Sequence, residues 1–385
     1  MYRIDWIENE TERTARWQSE SGMPAPKQMA IVDDTIRPDD AYGLAGQGTA
    51  LLWRGDFPSA RHMLAAMAKR VDYRARKSRA KREEGTTPGQ AFHLHRQAQA
   101  QKARLLGMLL VQLEDDYYIK LPRAQDVKAA CTEAWGVSDG GQTVVALREL
   151  MGVIGAHEWR TKGLEVPGLG GRIHPHYGVF TPTRNEYLDL IAKATFPAAA
   201  KEKGVAFDIG TGTGVLAAML ARHAGIAKIV ATDIDPRSLT CARENVARMG
   251  LADRVEVVEA DLYPEGKAGL VVCNPPWLPA RPSTPLEKGI YDPESHMLKG
   301  FLAGLADHLV PGGEGWLILS DLAERLGLRS EGELAENIAK AGLVVKERTQ
   351  ATPRHPKAAD KADPLHAARA AEVVSLWKLV PAPRV

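Results

Sequence analysis

The residues best suited to chemistry stand at the ends of four short apolar runs between positions 205 and 277. The first run, 205–209, leads into a loop with glycine at every second position, Gly210, Gly212 and Gly214, with Thr211 and Thr213 between them. A helix-like run, 215–222, follows at once. Strand, glycine-rich turn and helix is how an open α/β sheet offers backbone to the adenosine end of a cofactor. Side chains in such a loop would block the approach, and glycine also tolerates positive φ. The second run ends in Ala-Thr-Asp, placing Asp233 at a strand tip where its carboxylate can accept both hydroxyls of a ribose. A third, alternating run, 255–260, ends in Asp261 and Leu262, within reach of an adenine amino group. The fourth, 269–273, ends in Asn274-Pro275-Pro276-Trp277.

In order and spacing these four ends resemble the class I S-adenosylmethionine-dependent methyltransferases. The closest likeness is to N-methyltransferases with an (Asn/Asp)-Pro-Pro-aromatic motif. These include the glutamine methyltransferases of release factors or a ribosomal protein, and the "methyltransferase small" enzymes acting on exocyclic amines of nucleobases. The segment FTPTRNEYLDL at 180–190 looks like the one preceding the glycine loop in the glutamine enzymes. The resemblance covers roughly residues 170–380. It implies S-adenosylmethionine as cofactor, held by Asp208, Gly210, Thr211, Gly212, Thr213, Gly214, Asp233, Asp261, Leu262 and Asn274. It also implies a catalytic role for Asn274, Pro275, Pro276 and Trp277. Two departures blur the subfamily. The glutamine enzymes usually carry tyrosine where Trp277 stands, and the ribosomal guanine enzymes usually have Phe-His after the two prolines.

The residue types make chemical sense of that assignment. The nitrogen of an amide or aromatic amine has a delocalised lone pair and attacks a methyl group poorly. A site must hold its N–H groups, aim the lone pair at the sulfonium carbon, and keep water out. Asn274 supplies a side-chain carbonyl acceptor. The prolines have fixed φ and no N–H, so the Pro275 carbonyl can project as a second acceptor. Trp277 supplies a flat face on which a planar group stacks. Positioning and electrostatics would carry the rate.

Competing readings are weaker. A dinucleotide fingerprint reads Gly-x-Gly-x-x-Gly, whereas Val215 occupies the sixth position here, and a dehydrogenase gives no reason for the Asn-Pro-Pro-Trp turn. Asp208 suits the loop's own backbone as well as a ligand, and Asp261 suits a turn as well as adenine. Asp235 before Pro236 reads as a helix start. The pairs His93/His95 and His174/His176 lack further ligands at metal spacing, so no metal is expected.

The 385 residues suffice for two domains with ample cores, and 44% hydrophobic with 25% charged residues is ordinary for a globular protein. No apolar run reaches the ~18 residues of a membrane helix. The polar N-terminus does not look like a signal peptide. Cys131, Cys241 and Cys273 form no disulfide framework, so a cytoplasmic location is expected. Net charge is only +2, yet residues 69–104 hold eleven Lys or Arg against three acids. Such a stretch either binds RNA phosphates, as in ribosomal or other RNA, or is a solvated helix face.

Along the chain, residues 1–35 read as irregular. Helices are expected over 39–52 and 59–70, an αα-hairpin resembling a single tetratricopeptide unit without a second copy. Further helices are expected over 86–108, 125–135 and 143–156, and a hairpin over 111–121. A glycine-rich stretch, 163–178, separates a mainly helical recognition domain (1–165) from the methyltransferase domain (170–385). The resemblance makes the latter an α/β, Rossmann-like, seven-stranded sheet with its last strand antiparallel. The expected activity is N-methylation of a protein glutamine or a base in structured RNA. A small nitrogenous metabolite as acceptor, or a non-catalytic RNA- or ribosome-binding scaffold, is the alternative.

Overall fold

A computed structural model describes residues 2–79, 85–182, 186–223, 225–353 and 359–383. The chain divides into two compact units, Met1–Glu158 and Trp159–Val385. Part of the basic 69–104 stretch and part of the 180–190 segment lie outside the described residues.

The first unit is built on a six-stranded mixed sheet, a correction to the mainly helical domain expected. Its strands are β1 (Arg3–Glu8), β2 (Thr11–Gln18), β3 (Gln28–Val32), β4 (Thr49–Trp53), β5 (Leu109–Leu113) and β6 (Thr143–Ala146), in the order β1-β2-β6-β5-β4-β3. The helices are α1 (Pro38–Gln47), α2 (Phe57–Arg79), α3 (Pro88–Leu106), α4 (Lys128–Trp135) and α5 (Leu147–Lys162). The helix expected over 39–52 stops at Gly48, whose φ of 92° closes α1 in a left-handed turn. The apolar run after it is a buried strand, so no αα-hairpin forms there. The N-terminal segment is a hairpin, and its chain reversal uses Asn9 and Glu10, both at positive φ. Residues 143–146 pair with β5 as a strand, whereas 117–121 do not.

The second unit opens with an antiparallel pair, β7 (Leu164–Val166) and β8 (Gly171–Ile173). Its main sheet contains β9 (Val205–Ile209), β10 (Lys228–Asp233), β11 (Val255–Glu259), β12 (Ala268–Cys273), β13 (Leu309–Ser320), β14 (Leu343–Ala351) and β15 (Val374–Pro381). The order is β11-β10-β9-β12-β13-β15-β14, with β15 antiparallel to both neighbours and β9 to β13 mutually parallel. The chain runs outward from β9 to β11, then returns to the other side of β9 with β12. The carboxyl ends of β9 and β12 therefore flank a topological switch point, the usual ligand crevice of such sheets.

Both faces of this sheet are covered. The helices are α6 (Glu186–Lys193), α7 (Ala198–Lys203), α8 (Val215–Ala221), α9 (Pro236–Arg248), α10 (His296–Leu305), α11 (Leu322–Arg325), α12 (Glu333–Lys340) and α13 (His366–Ala370). Strand alternation sends Ala206, Leu270, Val272 and Trp316 into one core with α6, α8 and α9. Phe207, Ile209, Val271 and Cys273 enter the other, with α10 and α12. All six residues of β12 are buried, as a strand covered on both faces requires. Residues 311–313, Pro-Gly-Gly, form an irregularity within β13, where pairing with β12 jumps from Ala268↔Leu309 to Leu270↔Glu314.

Candidate active site

Register alone brings the expected residues together. Cys273 pairs with Ile209, and Ile209 pairs with Thr232 on its other side. The next residues, Asn274, Gly210 and Asp233, therefore leave adjacent strands at the same edge.

The glycine loop is tied down at each turn. Thr211 N–H donates to Thr232 O at 2.8 Å, and Gly214 N–H donates to Thr211 O at 2.9 Å. Gly210 has φ 70°, and a Cβ there would collide with the methyl of Met297 at the start of α10. Gly214 has φ 81° and would bring a Cβ within 3.3 Å of Ala242 Cα on α9. Each position combines a left-handed backbone with a close approach, so no other residue fits without strain. From behind, the fully buried Asn245 of α9 donates to Thr213 O at 3.0 Å and accepts the His174 N–H at 2.8 Å.

Two carboxylates complete this side. Asp233 Oδ2 accepts the Gly212 N–H and Oδ1 accepts the Asp235 N–H, both at 2.9 Å. Burial pushes the Asp233 carboxyl above its ordinary range, against the pull of those N–H groups. Asp208 is fully buried; its Oδ2 accepts from Thr211 Oγ1 at 2.6 Å and from the Ala217 N–H at 3.0 Å. Its Oδ1 is buried without a hydrogen-bond partner. Burial drives this carboxyl up to about 6, the bonds from Thr211 and Ala217 opposing the shift. Asp235 accepts the Arg237 N–H at 2.9 Å and caps α9, as its place before Pro236 predicts.

Asp261 is exposed beyond β11, and Leu262 beside it has φ 72°, rare for a branched apolar residue. The Leu262 carbonyl accepts from Thr232 Oγ1 at 2.5 Å, which holds that strained turn against β10. At the end of β12, Pro275 is buried and Asn274, Pro276 and Trp277 are half-buried. Trp277 Nε1 donates to Asn274 Oδ1 at 2.9 Å.

Several residues at this edge escape a motif search. Ile234 stands 65% exposed between two aspartates at the β10 tip, an apolar face beside the ribose-type carboxylate. Its signal was an isoleucine in the run Asp-Ile-Asp, where a loop residue would be polar. Asp292 is buried and accepts the Met297 and Leu298 N–H groups at 3.0 and 3.1 Å, fixing the start of α10. Lys288 reaches Asp235 at 3.3 Å, and a Cβ on Gly289 would strike Phe180, so the 281–294 loop packs against the start of α9 and the chain at Phe180. Among the described residues, no group of three or more His, Cys, Asp or Glu could hold a metal.

Residues 171–330 match the family model described as the methyltransferase small domain. The match lies wholly within the second unit and includes the glycine loop, Asp233 and Asn274. Over 165 residues the chain is 34% identical to a release factor glutamine methyltransferase of Deinococcus radiodurans, covering 40% of this chain and 56% of that protein. It is 45% identical over 67 residues to a ribosomal protein L11 methyltransferase of Symbiobacterium thermophilum, covering 17% of this chain and 22% of that one. The chain spans about half the length of the first two curated relatives it matches. A solved ribosomal protein L11 methylase of Lactobacillus delbrueckii subsp. bulgaricus aligns over 50% of this chain and 74% of its own, at 18% identity and a TM-score of 0.32.

The residues fit S-adenosylmethionine, the donor such domains use. The donor is cationic at its ammonium and sulfonium, and the loop's foundation includes a buried carboxylate oxygen lacking a partner. A carboxylate held above its usual range regains its charge most readily beside a cation.

Proposed function

We propose that the second unit transfers a methyl group from S-adenosylmethionine to a nitrogen of a planar amide or exocyclic amine. The observation carrying this reading is the juxtaposition, across β10, β9 and β12, of Asp233, the glycine loop and Asn274. Asp208, Gly210, Thr211, Gly212, Thr213, Gly214, Asp233, Asp261, Leu262 and Asn274 would hold the donor, with Ile234 against its base. Bound there, the donor supplies an electrophilic methyl carbon on sulfur. Asn274 Oδ1 and the Pro275 carbonyl take the acceptor's N–H groups, and the Trp277 ring covers the planar group. The strongly held strand β12 keeps those acceptors in place, so little reorganisation is needed at the moment of transfer.

The acceptor is a macromolecule of the translation apparatus: a glutamine side chain of a protein, or a base in structured RNA. The curated relatives act on release factors, ribosomal protein L11 and tRNA by name. The first unit supports a large partner. On α2, Tyr73, Arg74, Ala75, Arg76 and Lys77 are all exposed, with the Arg74 guanidinium lying over the Tyr42 ring of α1. Asp72, one of only three acids in the 69–104 stretch, pairs with Lys102, leaving the positive excess in place.

Transfer of tritiated methyl into a cell lysate, followed by separate protease and ribonuclease digestion, tests both claims. Label released by one digestion names the acceptor class. Calorimetry with S-adenosylmethionine checks the donor: micromolar affinity is expected, and no binding would reduce the domain to a scaffold.

A further inference from the structure

The bond between Trp277 and Asn274 says more than that two motif residues touch. An indole nitrogen only donates, so the amide atom facing it at 2.9 Å is the carbonyl oxygen, and Nδ2 is turned away. An asparagine amide has two orientations of similar shape, related by a half-turn of its last torsion. Only one of them offers an acceptor in a given direction. Trp277 therefore selects between them.

The indole is itself held in place. Its ring is half-buried and packs against both cores of the unit. The two residues before it are prolines with fixed φ. Just after it, Leu278 is strapped by its N–H to Ile290 O at 3.2 Å and by its carbonyl to Asp292 N–H at 2.8 Å. A carbonyl oxygen has two lone pairs, and Trp277 engages one.

We propose that Trp277 is a positioning residue: its Nε1–H locks the Asn274 amide with the carbonyl presented, leaving the second lone pair for an N–H of the methyl acceptor. This rests on the reading of Asn274 as the group that binds the acceptor. The aromatic residue of the motif then contributes an edge as well as a face. Phenylalanine could supply the face alone.

A double-mutant cycle separates edge from face. Trp277→Phe keeps a ring and removes the donor. It should lower kcat about fivefold, the scale of one hydrogen bond, with donor affinity unchanged. Asn274→Asp replaces an amide having one acceptor atom with a carboxylate having two, which needs no orientation. In that background Trp277→Phe should cost less than about twofold. Equal costs in both backgrounds, or an unchanged or raised kcat in Trp277→Phe, would overturn the proposal.

Should Asn274→Asp be too slow to measure, nuclear magnetic resonance reads the same event. The Asn274 side-chain amide should give one sharp pair of proton signals in the wild type and a broadened or doubled pair in Trp277→Phe. Identical signals in the two proteins would refute the lock. Full activity in Asn274→Ala would instead refute the assignment of Asn274, a separate failure.

Discussion

The backbone N–H of Gly212 donates to Asp233 Oδ2 at 2.9 Å, so the carboxylate ending β10 is built into the loop ending β9. The two candidate donor-binding features are one hydrogen-bonded unit, and changes to either are felt by both. Asp233→Ala should weaken S-adenosylmethionine binding by about 1.5–3 kcal/mol, roughly 10- to 150-fold, the range for a lost charged hydrogen bond. Calorimetry checks this, and an unchanged affinity would reassign the residue.

Asn274 follows a strand whose six residues are all buried, and truncating its side chain should leave that strand intact. Asn274→Ala is expected to cut kcat about 100-fold or more, as loss of one preorganised polar group does elsewhere. Donor affinity should move less than about threefold. Single-turnover transfer beside equilibrium binding separates the two effects.

Asp208 predicts a pH dependence. Its carboxyl titrates at about 6 in the fold against 3.8 when free, so the native state holds the proton more tightly than the unfolded chain. The fold accordingly loses about 3 kcal/mol from this group as pH rises from about 4 to 6, and regains it on acidification. Donor binding should run the other way, because a cation favours the ionised form. Affinity should be full above pH 7 and fall up to about tenfold per unit below 6. In Asp208→Asn that slope should vanish, which calorimetry across pH would show.

The exposed, basic part of α2 makes a further claim testable by salt. Binding of the full chain to a short RNA duplex should weaken steeply with salt. Arg76→Glu with Lys77→Glu should reduce the slope of log affinity against log salt by about 2. Donor binding should be untouched. RNA association that ignores both salt and the charge reversal would show that this helix is merely solvated.

The second unit was largely legible in the sequence because each strand end carries a residue that only a ligand or a turn explains. Gly210, Asp233 and Asn274 fall on adjacent strands at one edge. The first unit was harder to read. Strand β4, Thr49–Trp53, is a continuous apolar run, which periodicity cannot separate from a buried helix turn. Strand β1 did carry the alternating signal, with Ile4 and Trp6 buried and Arg3 and Asp5 exposed. Its charged residues disguised an outer strand as irregular chain. The partners of Asn245 lie across long sequence separations, which no local pattern encodes.

The candidate donor and acceptor sides are anchored very differently. The candidate donor loop hangs on buried groups of three elements, Asp208, Asn245 and Thr232, and turns on glycines at positive φ. The 281–294 loop beyond Trp277 is surface chain, reaching its surroundings through a contact such as Lys288 with Asp235. Substitutions at the exposed positions of that loop, before Gly289, can accumulate without disturbing the groups beneath, whereas Ile290 and Asp292 are tied to Leu278 and α10. A lineage with this architecture is free to exchange what it modifies while inheriting, unaltered, the means of doing so.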